Sequence, residues 1–136
     1  MPILVKSHLQ RIEAERAPSA YFTEWAYEDA KPGLGEEAVW FTAETSGGFG
    51  LYAIGRIASE SVEAGKNAKG NRLISVRAEF FAFEPRQPLG KADFASLPRV
   101  GKGSPIQDLN RRLYLNSHVK IAEIDDETFR FVASRF

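Results

Sequence analysis

Residues 37–59 read Glu-Ala-Val-Trp-Phe-Thr-Ala-Glu-Thr-Ser-Gly-Gly-Phe-Gly-Leu-Tyr-Ala-Ile-Gly-Arg-Ile-Ala-Ser. Residues 39–41 form a β-prone run, residues 45–48 are turn formers, and residues 51–57 form a second β-prone run. A glycine pair lets the chain turn through positive φ without a steric penalty, so the two runs can pair antiparallel. This stretch therefore predicts a β-hairpin, around which the rest of the chain is arranged.

A third long strand is predicted at residues 73–83. Apolar residues occupy every second position of this strand. The residues between them are polar at the start, at Ser75, and aromatic at the end, at Phe81 and Phe83. A strand has this pattern when one face passes from solvent into a packed or closed sheet. The alternating apolar residues are Ile74, Val76, Ala78, Phe80 and Ala82.

The segments before the hairpin and after its second strand have weaker patterns. Residues 3–16 predict an amphipathic helix, because Val5, Leu9 and Ile12 have helical spacing. The aromatic-rich residues 21–27 predict a strand or loop lining the core, and residues 31–35 predict a turn. Residues 60–71 contain little apolar material and predict an exposed loop.

The C-terminal half predicts short helices separated by a loop and a strand. Residues 91–97 predict one or two helical turns, with Phe94 and Leu97 facing inward, and residues 99–103 predict a loop. Residues 119–124 predict a last short strand.

Two helices carry start signals. Ser104 and Gln107 have the spacing of a capping box at the start of a helix that runs to about residue 114. Asp125 predicts the N-cap of a closing helix, with Ile124 and Phe129 placed as a hydrophobic staple.

Composition limits the class of protein. The chain has 136 residues, 43% of them hydrophobic, which predicts a single domain over residues 1–136. The net charge is zero, so a nucleic acid would have to be held by a local basic patch. The chain has no cysteine and only His8 and His118 as histidines, which excludes a disulfide framework and a histidine-rich metal cluster. We expect neither a metal nor a cofactor.

No apolar run approaches eighteen residues, and the first residues become polar quickly, so we expect a cytoplasmic protein.

Three catalytic or nucleotide motifs are matched only in part. Residues 48–53 have the glycine spacing of a dinucleotide fingerprint, but a strand rather than a helix is predicted after them. Residues 101–104 lack the spacer of a P-loop and favour a loop ending in a helix cap, although Lys102 there can still contact a phosphate. Ser117 and His118 are adjacent and do not face each other productively, so a hydrolytic triad is not indicated.

Two features of the sequence are harder to explain by stability alone. Basic residues crowd the later part of the chain with only Asp108 opposing them, which fits a phosphate-contacting face and a solvated helix surface equally well. Aromatic residues are also more numerous than a small barrel can bury, and those left at its mouth can clamp a flat ring by stacking. The basic residues are Arg99, Lys102, Arg111, Arg112 and Lys120, and the aromatic ones are Tyr21, Phe22, Trp25, Tyr27, Trp40, Phe41, Phe49 and Tyr52.

Several segments in order resemble one known family. They are Lys-Pro-Gly at 31–33, Ala-Val-Trp-Phe-Thr at 38–42, Gly-Leu-Tyr-Ala-Ile-Gly-Arg-Ile at 50–57, Pro-Leu-Gly-Lys at 88–91, Ser-Pro-Ile at 104–106, Leu-Tyr and Asn at 113–116, and Ile-Asp-Asp-Glu-Thr-Phe at 124–129. Residues 31–136 thereby resemble the EVE domain of the PUA-like superfamily, and most closely the EVE-like modules beside HNH nuclease domains in bacteria. Residues 1–29 depart from the usual EVE opening.

The resemblance implies an α+β fold, a small and mostly antiparallel PUA-like β-barrel with flanking helices. It also implies a non-catalytic module whose pocket accepts a modified base, for example a methylated one, in DNA or RNA. Any nuclease activity would then come from a partner protein. By position, the base pocket would be lined by Trp40, Thr42, Tyr114, Asn116 and Ser117, with Trp25 and Phe49 as further candidates, and Lys102, Arg111 and Arg112 would contact phosphates.

One test and two alternatives follow from this interpretation. Replacement of Trp40 by alanine is expected to leave the fold largely intact while removing binding. A protein-interaction or regulatory module without nucleic-acid binding is the alternative from another class, with exposed aromatic residues contacting a partner. An enzyme acting on small nucleotides or modified bases is the third possibility, although the sequence nominates no catalytic residue for it.

Overall fold

The computed structural model of the chain describes residues 1–8, 13–14, 18–27, 30–44, 48–96, 104–115 and 120–136. Along these residues, seven strands come first, and the helices follow with one further strand before the last helix. Their order is β1 Ile3–Ser7, β2 Glu13–Ala14, β3 Pro18–Ala26, β4 Glu37–Thr42, β5 Gly50–Ile57, β6 Val62–Lys66, β7 Arg72–Phe83, α1 Lys91–Ser96, α2 Pro105–Asn110, a π-helical segment Arg111–Leu115, β8 Ile121–Glu123 and α3 Asp126–Ala133.

Six of the strands in the described ranges close into a barrel. Their order around the ring is β3, β8, β1, β4, β5 and β7, and the pairing of β3 with β7 completes it. The junctions β1–β4 and β3–β8 are parallel, and the other four are antiparallel. Strand β2 extends the sheet beside β3, and β6 extends it beside β7. The predicted α+β class with a mostly antiparallel barrel is confirmed.

The hairpin predicted at residues 37–59 is confirmed as β4 and β5, which pair antiparallel from Glu37 opposite Arg56 to Thr42 opposite Gly50. The third strand is also confirmed, as β7. A Cβ atom at Gly55 would lie 1.9 Å from the carbonyl oxygen of Glu79 on β7, where the register between β5 and β7 shifts. A glycine is therefore needed where these two backbones approach most closely.

The helix predicted at residues 3–16 is wrong at Ile3–Ser7 and at Glu13–Ala14, which are strands. Residues Ile3–Ser7 form β1, which lies inside the sheet between β8 and β4. Ile3, Leu4 and Val5 are all buried, because the interior of the barrel covers one face of β1 and the helices cover the other. A strand buried on both faces has a continuous apolar run, which periodicity cannot distinguish from a helix. Leu9 and Ile12 lie outside the described residues.

Two other early predictions are refined. The aromatic-rich residues 21–27, predicted as strand or loop, belong almost entirely to strand β3. The loop predicted at residues 60–71 is wrong in part, because β6 pairs antiparallel with β7 there. The side chains of β6 are nevertheless mostly exposed, since an edge strand can complete backbone hydrogen bonds without burying side chains.

The apolar side chains form two layers. The first, here called the interior cluster, draws on all six strands of the ring and fills the barrel. The second, here called the outer cluster, lies between the outside of the barrel and the helices. The interior cluster contains Ile3, Val5, Ala20, Phe22, Ala26, Ala30, Ala38, Trp40, Ala53, Ile57, Ile74, Val76, Ala78, Phe80 and Ile121. The outer cluster contains Leu4, Val39, Phe41, Leu51, Ile54, Leu89, Phe94, Leu109, Leu113, Ile124, Phe129 and Val132.

The helix starts agree in part with the capping signals. The Ser104 hydroxyl accepts a hydrogen bond from the Gln107 amide at 3.2 Å, as predicted. The reciprocal bond of the capping box is not formed, because Gln107 Oε1 is buried without a hydrogen-bond partner among the described residues. Helix α1 is confirmed with Phe94 buried, whereas Leu97 and the predicted loop at 99–103 lie outside the described residues.

The closing helix is confirmed with its predicted N-cap. The Asp125 carboxylate accepts a hydrogen bond from the Thr128 amide at 2.7 Å, and its bonds with Thr128 lower the pKa of the Asp125 carboxyl. Ile124 and Phe129 are both buried in the outer cluster, as a hydrophobic staple requires. Over the described ranges, each helix falls short of the length and apolar character needed to span a membrane.

Candidate functional site

The residues predicted to line a base pocket lie in different parts of the fold. Trp40 is 0% exposed and belongs to the interior cluster. Its indole Nε1 donates a hydrogen bond to Ser7 Oγ at 3.0 Å, across the β1–β4 pair. A base cannot stack on Trp40 in this conformation, because neighbouring protein atoms cover the whole ring. The expectation that alanine at position 40 leaves the fold intact is therefore corrected: a buried Trp that fills the barrel supports the fold.

Thr42 closes the hairpin loop. Its side chain is buried, and its hydroxyl accepts a hydrogen bond from the Phe49 amide at 2.7 Å and donates one to the Gly50 carbonyl oxygen at 3.3 Å. These bonds fix the backbone at residues 49–50. The predicted contact of Thr42 with a ligand stays a prediction, and its hydroxyl already has two partners.

Phe49 is the predicted pocket residue with the most accessible ring. It is 65% exposed, and its ring stacks on that of Tyr52 with centroids 6.5 Å apart and an interplanar angle of 21°. Tyr52 in turn makes edge contacts with Trp40 and Phe83. A continuous series of rings thus leads from the barrel interior to the surface. This aromatic ladder consists of Phe22, Trp40, Phe80, Phe83, Tyr52 and Phe49.

Tyr114 lies on the other side of the hairpin, in the π-helical segment that continues α2. Its hydroxyl donates a hydrogen bond of 2.6 Å to Glu44 Oε1, and its ring makes an edge contact with Phe94. Burial and the bond to Glu44 raise the pKa of the Tyr114 hydroxyl far above its ordinary value. The hydroxyl is therefore protonated at any physiological pH and remains a donor. Single turns of π-helix occur often at functional sites.

Lys6 shares this place, and the sequence did not indicate it. Its ammonium lies 4.6 Å from the centroid of the Tyr114 ring and donates a hydrogen bond to the Leu113 carbonyl oxygen at 2.8 Å. Burial is the main reason that the pKa of Lys6 is lowered, and the positive charge of Lys120 adds to it. The one signal was a lysine inside the apolar run Ile-Leu-Val-Lys-Ser.

Glu44 joins three segments of the chain. Both of its carboxylate oxygens accept from the Lys91 backbone amide at 3.1 Å, at the start of α1. A Cβ atom at Gly90 would lie 3.2 Å from Glu44 Oε2 and 3.6 Å from the Phe49 carbonyl oxygen. The hairpin loop therefore packs closely on this glycine, with Glu44 and Phe49 both beside it. We call the side chains of Lys6, Glu44, Phe94 and Tyr114 the Lys6–Glu44 site.

The two described arginines that were predicted to contact phosphates are partly neutralised by Asp108. Asp108 forms ion pairs with Arg111 at 2.9 Å and with Arg112 at 3.2 Å, and the Arg112 guanidinium lies over the Tyr27 ring. Arg111 is the more exposed of the two arginines, with 63% of its side chain accessible. Lys102 lies outside the described residues.

Of the other predicted pocket residues, the structure describes Trp25. Trp25 is half-buried on β3, and its carbonyl oxygen accepts from the Lys120 amide at 2.7 Å. Asn116 and Ser117 lie outside the described residues. Within the described ranges, no group of three or more histidine, aspartate or glutamate side chains is placed to hold a metal ion.

No protein-family model matches the chain, and no curated protein sequence matches it. Solved structures do match. The DUF55 domain of human thymocyte nuclear protein 1 superposes with a TM-score of 0.69 at 17% identity, over 98% of this chain and 97% of that one. Human THYN1 protein in complex with 5-methylcytosine-containing DNA superposes with a TM-score of 0.65 at 16% identity, over 98% and 95%. The chain therefore has the same fold as the DUF55 domain.

A bacterial structure has the same architecture. The NMR structure of Rpa0253 from Rhodopseudomonas palustris superposes with a TM-score of 0.60 at 16% identity, over 98% of this chain and 91% of that one. At such identities the likeness establishes the fold alone. Within residues 1–29, the described strands β1 and β3 belong to the ring of the barrel.

Proposed function

We propose that this chain is a nucleic-acid-binding module that recognises a modified base. The observation that carries the proposal is the likeness, over nearly the whole chain, to human THYN1 protein in complex with DNA that contains 5-methylcytosine. Fold alone does not determine function, so the proposal also needs a site whose chemistry suits a base.

The site has the two kinds of group that a base requires. A base taken out of its stack is held by flat apolar faces and by hydrogen bonds to its edge. Phe49 presents an exposed ring supported by Tyr52, while Lys6, Glu44 and Tyr114 present fixed polar groups, and Glu44 and the Phe49 backbone both lie beside Gly90. This combination supports base recognition by the hairpin loop and the elements packed against it.

The charge distribution supports a moderate rather than a strong contribution from phosphates. The net charge of the chain is zero, so a general attraction to polyanions is absent. Lys91 is exposed at the start of α1 and can neutralise one phosphate, whereas the exposed Arg111 is already partly neutralised by its ion pair with Asp108. We propose that the base contacts, rather than the phosphate contacts, supply most of the selectivity.

Some parts of the proposal go beyond what the structural likeness to THYN1 supports. We propose that the module has no catalytic activity, that it acts in the cytoplasm, and that any cleavage of the nucleic acid is performed by a partner nuclease. Kinship with the EVE-like modules beside HNH nucleases belongs to the same proposal. Each of these statements is independent of base binding, so any of them can be wrong while the protein still binds a modified base.

A protein-interaction module is the second candidate, favoured by one observation. Tyr21 on β3 is 57% exposed and Phe81 on β7 is 61% exposed, and both lie on strands of the barrel wall. Large apolar side chains at the surface are the usual anchors of a protein partner. If this candidate is correct, affinity capture returns one protein and no nucleic acid.

The test is a binding screen by fluorescence anisotropy at fixed physiological salt. Single- and double-stranded oligonucleotides carry methylated, hydroxymethylated or unmodified bases in one sequence. We expect one modified base to bind more tightly than its unmodified form. Phe49→Ala is expected to weaken binding by about 1 to 3 kcal/mol, the range found for one stacked base, whereas Tyr21→Ala, an equally exposed aromatic elsewhere, leaves it unchanged. Equal, salt-sensitive binding of every oligonucleotide would count against the proposal.

A further inference from the structure

The turn that joins β6 to β7 concentrates positive charge. Residues 66–72 have the sequence Lys-Asn-Ala-Lys-Gly-Asn-Arg, with three cations and no acidic residue, although the net charge of the whole chain is zero. Lys66 ends β6 and lies directly opposite Arg72, which begins β7. Like charges directly opposite each other in a sheet are destabilising, so stability does not account for this arrangement. We call residues 66–72 the basic turn.

Hydrogen bonds within the basic turn fix its backbone. The Asn67 side-chain oxygen accepts from the amides of Lys69 and Asn71, both at 3.0 Å. The Asn67 amide donates to the Asn71 carbonyl oxygen at 2.9 Å, and the Gly70 amide donates to the Asn67 carbonyl oxygen at 3.1 Å. Gly70 has a φ of 85°, a conformation that glycine adopts without a steric penalty. The turn is therefore ordered before a ligand binds, which lowers the entropic cost of binding.

The two lysines of the basic turn are available to a ligand. Lys66 and Lys69 are exposed, and neither takes part in an ion pair within the part of the chain that the structure describes. Arg72 has a different environment, because its guanidinium is half-buried and donates to the Ala30 carbonyl oxygen. The guanidinium thereby fastens the base of the turn, and the two ammonium groups face solvent.

We propose that the basic turn binds the phosphate backbone of the nucleic acid whose modified base lies at Phe49, and that it contributes affinity without base selectivity. The inference rests on the proposed function and adds a second contact surface to it. An ammonium group attracts any phosphate, whatever base the phosphate adjoins, and neutralising phosphates releases their counterions. Lys66 and Lys69 can each neutralise one phosphate.

Strand β7 sets the distance between the two contact surfaces. The basic turn ends at its first residue, Arg72, and β7 has 12 residues. Its last residue, Phe83, contacts Tyr52, on which the exposed Phe49 ring stacks. At about 3.3 Å per residue, the two ends are roughly 35 Å apart along the strand. One helical turn of B-DNA is also about 34–36 Å long, so a duplex reaches the basic turn about ten base pairs from the modified base.

Two simpler roles for the lysines make different predictions. If Lys66 and Lys69 only keep an exposed turn solvated, removal of their charges changes neither the affinity for DNA nor its salt dependence. If any surface cation attracts DNA equally, removal of an exposed cation elsewhere has the same effect, whatever the length of the duplex. A phosphate contact at the basic turn requires an effect of these two lysines that appears only on a long duplex.

The experiment measures dissociation constants by fluorescence anisotropy between about 50 and 200 mM salt, on duplexes of about 10 and about 24 base pairs. Each duplex carries 5-methylcytosine or cytosine at its centre. The short duplex extends about 17 Å from that base and the long one about 41 Å, so only the long one reaches the basic turn.

Lys66→Gln combined with Lys69→Gln is expected to weaken binding of the long duplex by about tenfold at physiological salt. The slope of log K against log salt is expected to fall by about 2, one for each phosphate contact. Binding of the short duplex is expected to stay within about twofold of wild type. If the double variant does not fold by circular dichroism, Lys69→Gln alone is used, with a slope reduced by about 1.

Two controls keep or move the charge. Lys66→Arg combined with Lys69→Arg retains both charges and is expected to retain the affinity and the slope. Arg130→Gln removes an exposed cation from α3, which packs in the outer cluster with β1, β4 and β5, and is expected to change neither.

The outcomes separate this inference from the proposed function. The ratio of affinities for 5-methylcytosine and cytosine tests base recognition, and it is expected to be the same in every variant. Wild-type affinity and slope in the folded double variant, an equal loss on the short duplex, or an equal loss per charge in Arg130→Gln overturns this inference alone. Absence of DNA binding by the wild-type protein, or of any preference for a modified base, overturns the proposed function and this inference with it.

Discussion

The interior cluster and the Lys6–Glu44 site both include residues of strand β1 but differ in polarity and in burial. Val5 on β1 points into the barrel, and Lys6 beside it points out under the helices. The interior cluster is apolar and closed, with the Trp40–Ser7 bond as its polar contact across β1 and β4. The Lys6–Glu44 site is charged, half-buried and bordered by the helical layer.

The difference shows which contacts stabilise the fold and which reduce its stability. Burial of the interior side chains is favourable at about 25 cal/mol per Å² of apolar surface. Burial of Lys6 is unfavourable to its charged form, which is why its pKa is lowered. A protein retains a partly desolvated charge mainly where something other than stability requires it. The following predictions test this contrast, from the largest expected effect to the smallest.

The largest effect is expected at the barrel wall. Gly55→Ala would place a Cβ atom 1.9 Å from the Glu79 carbonyl oxygen and 2.7 Å from Phe80 Cα, so β5 and β7 must separate. We expect a loss of about 4 kcal/mol or more in the free energy of unfolding, measured by urea denaturation. Gly65→Ala in the exposed strand β6 is the matched control. Its nearest neighbour is Leu73 Cβ at 3.9 Å, and a change within about 1 kcal/mol is expected.

The next largest effect is expected inside the barrel. Trp40→Ala empties the centre of the interior cluster and leaves Ser7 Oγ without its donor, so we expect unfolding to become easier by about 3 to 5 kcal/mol. Trp40→Phe retains an aromatic ring and should lose about half as much or less. Wild-type stability of Trp40→Ala together with lost oligonucleotide binding would instead support the sequence-based interpretation of this residue as a ligand contact.

A smaller effect on stability is expected at the Lys6–Glu44 site. Tyr114→Phe removes the hydroxyl that donates to Glu44 and keeps the ring beneath Lys6. A hydrogen bond to a charged acceptor contributes about 1.5 to 3 kcal/mol when buried, and we expect about 1 kcal/mol here because the site is half-buried. Tyr21→Phe on the exposed face of β3 should change the free energy of unfolding by less than about 0.5 kcal/mol. Equal losses in the two variants would mean that the hydroxyl of Tyr114 contributes nothing.

The smallest effect is expected at the start of α3. Asp125→Ala removes the N-cap acceptor for the Thr128 amide, at a cost of about 0.5 kcal/mol, the low end of the range for N-caps, because Asp125 is exposed. The folded pKa of Asp125 is below its ordinary value. Its charge therefore stabilises the fold fully above the ordinary aspartate pKa, and this contribution is lost as pH falls through the folded pKa. Asp125→Asn keeps an acceptor and should remove that acid-dependent component from a plot of stability against pH. An unchanged profile in Asp125→Asn would contradict the assignment.

Local patterns in the sequence determined the elements whose evidence is local. The glycine-rich turn between two β-prone runs predicted the β4–β5 hairpin, and alternation over residues 73–83 predicted β7. Ser104 and Asp125 predicted two helix starts, because a cap depends on residues within one turn. Among the predicted site residues, Phe49 was named by its position in the family resemblance, and its ring is exposed in the structure.

Tertiary structure alone decided how these elements combine. The apolar run at residues 3–5 fits a helix or a doubly buried strand, and its pairing with both β4 and β8 selects the strand. Trp40 was predicted to contact a ligand, but closure of the barrel buries its ring completely. Lys6 meets the Leu113 carbonyl oxygen 107 positions away, and Tyr114 meets Glu44 70 positions away. No local pattern encodes such contacts, because they exist only once closure of the barrel and packing of the helices have brought distant segments together.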